Sequence, residues 1–127
     1  MNTERIMRES LVWNRVALAL AAFFLFGAYS NASGVSAQAY VNWGYPEGFH
    51  VVTAACELLV AIALVFSRTR VYGAVLGTMV MVAALATLVL NGAAEWAVPA
   101  FLTLAVSVAV GIHARRVASR ASACPCE

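Results

Sequence analysis

The sequence predicts an all-α integral membrane protein, an antiparallel four-helix bundle with both termini cytoplasmic. Three observations predict it. Hydrophobic residues make up 63% of the 127-residue chain and charged residues 11%, against about 25% charged in ordinary soluble domains. Four apolar runs, at about 11–30, 47–66, 71–90 and 94–113, each come close to the ~20 residues that a spanning helix needs. The charges then sort by side. Arg5, Arg8 and Arg15 precede or open the first run, Arg68 and Arg70 join the second to the third, and Arg115, Arg116 and Arg120 follow the fourth. The 31–46 connection and the Asn91–Glu95 turn hold no Arg or Lys, which makes them the outward segments by the positive-inside rule. Residues 1–120 are expected to form one domain, and 121–127 a disordered tail.

In the first run, small residues recur at Ala17, Ala21 and Ala28, the spacing of a helix face that packs on another helix. A rival reading makes Arg5, Arg8 and Arg15 a signal-peptide n-region, with cleavage near Ala37-Gln38-Ala39. The run is of full spanning length and that site lies far from its apolar centre, so a retained helix is favoured. The outer connection carries Tyr40, Trp43, Tyr45 and, beyond Pro46, Phe49, and Trp96 stands at the other outer turn. Aromatic rings of this kind anchor at the membrane interface. The sharper alternative is a cap over an outward-opening pocket. Asn31-Ala32-Ser33 matches a glycosylation acceptor but hugs the membrane. Pro46 suits the first turn of the second helix.

The second run contains Glu57 near its middle. A carboxylate at that depth is costly, so it is expected to be paired, protonated or facing a polar cavity. The third run has Gly73 and Gly77 at small-xxx-small spacing, extended by Ala84, Thr87 and Asn91, and the fourth offers Thr103, Ser107 and Gly111. Such stripes let backbones approach closely. They are also compatible with a homo-oligomer. Cys56 is expected to be a small core residue, and Cys124 and Cys126 fall in the tail without a CxxC; neither a disulfide framework nor a metal site is indicated. A net charge of +2, carried by Arg at helix ends rather than in one patch, argues against nucleic-acid binding.

Counting from the outer ends puts Glu57 near the levels of Leu20, Val80 and Leu104, with Thr78, Thr103 and Ser107 as its expected hydrogen-bond partners. His50 falls two turns above on the same face, near Thr87 and Gly27, with Ser30, Asn31 and Asn91 above it. These residues would form a polar track from the outer surface to Glu57, as a proton relay or a quinol-type site requires. The candidate catalytic residues are therefore Glu57 and His50. The candidate ligand-binding residues are Trp43, Tyr45, Thr87, Asn91 and Thr103. The bland alternative is a neutral Glu57 that bonds neighbouring helices together.

The run Trp43-Gly44-Tyr45-Pro46-Glu47-Gly48-Phe49, the pair Glu57-Leu58, and Arg68-Thr69-Arg70 ahead of a small-residue helix resemble the DoxX-like family of small four-helix membrane proteins. The resemblance covers about residues 11–115. It implies a bacterial inner-membrane protein, with Glu57 at the family's acidic position in the second helix. The family takes its name from a subunit associated with thiosulfate:quinone oxidoreductase. Other members are linked to membrane redox complexes, and many have no assigned activity. Two departures stand out: Gly27-Ala28-Tyr29-Ser30 where such proteins often carry a Lys, and Thr87 where they often carry a His.

The leading expectation is an accessory subunit of a redox- or quinone-linked membrane system, binding a lipophilic ligand or partner around Glu57, with quinone the candidate cofactor. The alternative is a membrane-embedded acid–base enzyme, an isomerase or cyclase of a hydrophobic substrate, with Glu57 as general acid and His50 as relay. A small transporter would need oligomerisation.

Overall fold

The computed structural model describes residues 2–123, which are helical with no strand. The elements are α1 (Asn2–Ala32), α2 (Ala37–Asn42), α3 (Phe49–Val65), α4 (Arg70–Leu90), a 3-10 turn (Ala94–Trp96) and α5 (Ala97–Ser122). Helix α1 packs on α3, α3 on α4 and α4 on α5, while α1 and α5 touch more lightly. Three helical segments, Thr3–Ala32, Arg70–Leu90 and Ala94–Ser122, are long and apolar enough to cross a membrane. Helix α3 is equally apolar but has 17 residues, about 25 Å of rise.

Several boundaries differ from the sequence expectation, each for a local reason. Helix α1 begins at Asn2 rather than near 11. Residues 2–10 hold no Gly or Pro, and Glu4 in the first turn suits the positive end of the helix dipole. Helix α3 starts at Phe49, because Gly48 adopts φ 82° and stands as its N-cap. Pro46 therefore lies in the connection, its carbonyl accepting from the Phe49 N–H at 3.1 Å, and not in the first helical turn. Helix α5 runs to Ser122. Its last turns contain good helix formers, and Arg120 sits favourably at the negative end of the dipole. Ala121 and Ser122 are thus helical where a tail was expected; Cys124 and Cys126 lie outside the described residues. Helix α2 was not foreseen. The tripeptide Ala37-Gln38-Ala39 forms its first turn.

The interior is built from small side chains on helical spacing. Ala17, Ala21, Phe24 and Ala28 of α1 meet Ala54, Val60, Ala61 and Leu64 of α3. Gly73 and Gly77 pack within the chain. A Cβ on Gly73 would meet the Ala63 backbone at 3.0 Å, and one on Gly77 would meet the Phe24 ring at the same distance. Large apolar side chains, among them Phe26, Leu59, Met79 and Phe101, are exposed instead. No more than 28% of any of the three long apolar windows is buried, an outer surface far more apolar than water tolerates in contiguous patches.

The Arg-bearing segments gather at one end. Arg70 Nη2 donates to Asn14 Oδ1 at 2.8 Å and Arg70 Nε to the Leu64 carbonyl at 3.1 Å. Trp13 stacks on His113 with ring centroids 4.5 Å apart. These contacts bring the start of α1, the α3–α4 turn and the second half of α5 together.

Candidate functional site

Glu57 is the central residue of α3 and falls on its buried stripe, between Ala54 and Val60. It is 7% exposed. Its Oε2 accepts a hydrogen bond from Asn31 Nδ2 at 2.8 Å, and Asn31 Oδ1 accepts one from the Ser36 hydroxyl at 2.6 Å. The amide is thereby oriented from both sides: its oxygen is fixed by Ser36, so its N–H must face the acid. The carboxyl lies directly against the α1 backbone. A Cβ on Gly27 would sit 2.7 Å from Glu57 Oε1, so only glycine leaves room there. Asn31 is committed to this contact, which argues against its use as a glycosylation acceptor.

The partners expected for Glu57 do not reach it. Thr78 donates to the Ala74 carbonyl, Thr103 to that of Pro99 and Ser107 to that of Thr103, at 2.7–2.8 Å. Each hydroxyl is spent on its own helix. Helix α5 packs on α4 and lightly on α1 rather than on α3, so Thr103 and Ser107 lie away from the acid. The register of α1 also differs from the count. Gly27 and Asn31, not Leu20, are level with the Glu57 carboxyl. Matching depths from the outer ends assumed that the runs stop together, whereas α1 stops about two turns deeper than α3.

That early stop leaves a space. A cavity of about 360 Å³ opens beyond the C-terminal end of α1, between α2, the first half of α3 and the second half of α4. Asn31 and Ser36 form its polar edge, and Val80 and Cys56 lie among its apolar lining. Tyr40, Trp43, Tyr45 and Phe49 roof it. The four rings support one another: Tyr45 stacks on Phe49 at 4.6 Å, and Tyr40 meets Trp43, Tyr45 and Phe49 at 5.7–5.9 Å. Thr87 gives its proton to the Ala83 carbonyl, so in the 2.7 Å contact with Tyr45 the phenol donates and the Thr87 Oγ1 accepts. This bond ties the roof to α4. The Tyr40 hydroxyl lies beside Thr53. Burial, with smaller contributions from Glu57 and Tyr45, raises its pKa above the ordinary 10.0, against an opposing hydrogen bond from Thr53. It is a neutral hydrogen-bond donor across the physiological range.

Of the sequence-designated residues, Trp43, Tyr45 and Thr87 line the cavity. Asn91 does not. It is exposed and caps α4, its Nδ2 donating to the Thr87 carbonyl at 2.8 Å. Thr103 is buried elsewhere, on α5. His50 is half-buried in the first turn of α3 and is not part of the lining; seven residues of helix set it about 10 Å above Glu57. The polar track thus runs through Asn31 and Ser36 and bypasses His50. Cys56, expected in the core, is a half-buried thiol on the cavity wall. Ser36 carries the site without having been named in the sequence reading, Tyr40 entered it only as part of the aromatic cap, and Gly27 only as a residue at the depth of His50. The signal for Gly27 was a glycine inside an apolar helix that had no turn to make.

Among the described residues, no group of His, Cys and Glu is arranged to hold a metal ion. No protein-family model, curated protein or solved structure matches the chain.

Proposed function

We propose that this chain is a four-span protein of the bacterial inner membrane, with both termini cytoplasmic, and that its outward cavity binds the ring of a lipophilic ligand such as a quinone. The carrying observation is the pairing of an aromatic-roofed cavity with an acid buried one amide away. The cavity lies within the ~300–1,000 Å³ typical of ligand sites. Aromatic faces suit a flat ring, while the Tyr40 hydroxyl and the second Asn31 N–H are donors for ring carbonyls. The gathering of eight Arg at one end supports the topology. The apolar outer surface supports embedding, with α3 crossing together with the turns that flank it.

On this reading the chain is a DoxX-like accessory subunit of a redox-linked system, and Glu57 is a binding-site support rather than a general acid. Asn31 stands between the carboxyl and the cavity, which favours binding over proton transfer to a substrate. Saturable quenching of Trp43 fluorescence by a short-chain benzoquinone, lost in Trp43→Phe, is the expected result. Glu57→Gln keeps the hydrogen bond and retains that binding. Absence of saturable quenching, with no partner co-purifying from membranes, would sink the proposal; abolished turnover of a hydrophobic substrate by Glu57→Gln would favour the acid–base enzyme.

A further inference from the structure

The opposite end of the molecule holds a second cavity of about 360 Å³, edged by Ser10, Trp13, Ser67, Arg68, Arg70 and His113. A groove of about 630 Å³ lies beside it along the α4–α5 seam, with Arg68 and Arg115 at one end. Arg68, Val71 and Ala118 line both, so the two spaces adjoin. The groove has a floor of small residues, Ala74, Ser107 and Gly111, and apolar walls that include Val75, Met79 and Ile112. Val75, Met79 and Ile112 are each at least half exposed.

Neither space is lined by an acidic residue; Glu9 is the carboxylate near His113, with Arg116 and Arg120 also close to it. Arg70 is held by Asn14 and the Leu64 carbonyl, which leaves its Nη1 free to donate from a fixed position. Arg68 has no hydrogen bond or ion pair among the described residues. A fixed guanidinium and an unpaired one beside hydroxyls are the donor set for a phosphate.

We propose that this end binds one anionic phospholipid, its headgroup phosphate at Arg68 and Arg70, with Arg115 adding positive charge at the same end of the α4–α5 groove, which takes an acyl chain. The proposal rests on the membrane reading above. A free phosphate would leave the adjoining groove unfilled. A second copy of the chain seated there about an axis normal to the membrane would bring Arg68 and Arg115 of both copies together, an unfavourable like-charge contact. A lipid matches both halves: charge at the headgroup level and hydrocarbon below it.

The test is native mass spectrometry of the full chain in detergent, titrated with phosphatidylglycerol, phosphatidylcholine and inorganic phosphate. One phosphatidylglycerol per chain is expected, with phosphatidylcholine at least about tenfold weaker and phosphate unable to displace the lipid. The double variant Arg68→Gln/Arg115→Gln, checked for helicity by circular dichroism, weakens phosphatidylglycerol about 30-fold. Arg5→Gln/Arg8→Gln removes the same charge from the same side and changes it less than about twofold. Equal binding of the two lipids overturns the proposal, as does equal loss in the Arg5/Arg8 control or ready displacement by phosphate. Should the double variant not fold, the lipid preference of the unmodified chain decides. Extraction by alkaline carbonate separates the two readings: a chain that leaves the membrane sinks the membrane assignment, whereas an integral chain without lipid preference sinks the lipid site alone.

Discussion

The two ends of the helix assembly hold cavities of nearly equal volume and opposite chemistry. The one at the α2 end is roofed by aromatic rings and edged by amide and hydroxyl groups, and its one charged-type group, Glu57, is hidden behind Asn31. The one at the Arg-rich end is edged by Arg68 and Arg70 with no acid in its lining. They also arise differently. The α2-end space exists because α1 stops short and the chain crosses over it as α2. The Arg-end space is a gap between the start of α1, the α3–α4 turn and the last turns of α5. Burial separates them energetically: a polar group enclosed by helices must find its partner inside the protein, while Arg side chains at a helix end keep access to water or headgroups. Substitutions at the α2 end should therefore alter stability, and those at the Arg-rich end mainly the surface the chain presents.

The largest effect is expected at Gly27. Gly27→Leu drives a side chain into the Glu57 carboxyl and should cost about 3 kcal/mol or more, read as a lowered unfolding midpoint in detergent together with lost quinone quenching. An unchanged midpoint would break the contrast between the ends. Asn31→Leu leaves Glu57 buried without its donor and should cost about 1–3 kcal/mol. In a double-mutant cycle, adding Glu57→Leu should recover part of that loss, because the unpaired acid is then gone; strictly additive losses would show that the two side chains do not act together.

Tyr45→Phe removes the tie between the roof and Thr87 and should cost about 1 kcal/mol, with weaker ligand quenching at an unchanged far-ultraviolet spectrum. Arg68→Gln at the Arg-rich end should shift the midpoint by less than about 0.5 kcal/mol. A larger shift would mean that the Arg-rich end also holds the fold together through that residue. The smallest effect at neutral pH belongs to Tyr40. Its folded-state pKa is raised by burial, so the stability linked to its proton is fully present below the ordinary value of 10.0 and is lost as pH climbs through the folded value. The difference between phenolate absorbance titrations of the unmodified chain and Tyr40→Phe should rise only above pH 10. A difference that rises below it would contradict the burial of that ring.

The sequence by itself determined the class of the molecule: helical, apolar on its outside, with its Arg at one end. Those features follow from local composition and period, which do not depend on what the helices touch. It also singled out Glu57, since an acid in an apolar run is conspicuous without any structure, and the aromatic cluster that roofs the cavity at the α2 end. Only the tertiary structure decided which side chains meet. The choice of Asn31 over Thr78, Thr103 or Ser107, the space kept for the carboxyl by Gly27, and the absence of His50 from the cavity depend on where α1 stops and on α5 lying against α4 instead of α3. An axial offset of two turns exchanges every partner of a buried group while leaving each helix's own sequence pattern untouched, so no count along the chain could have supplied it.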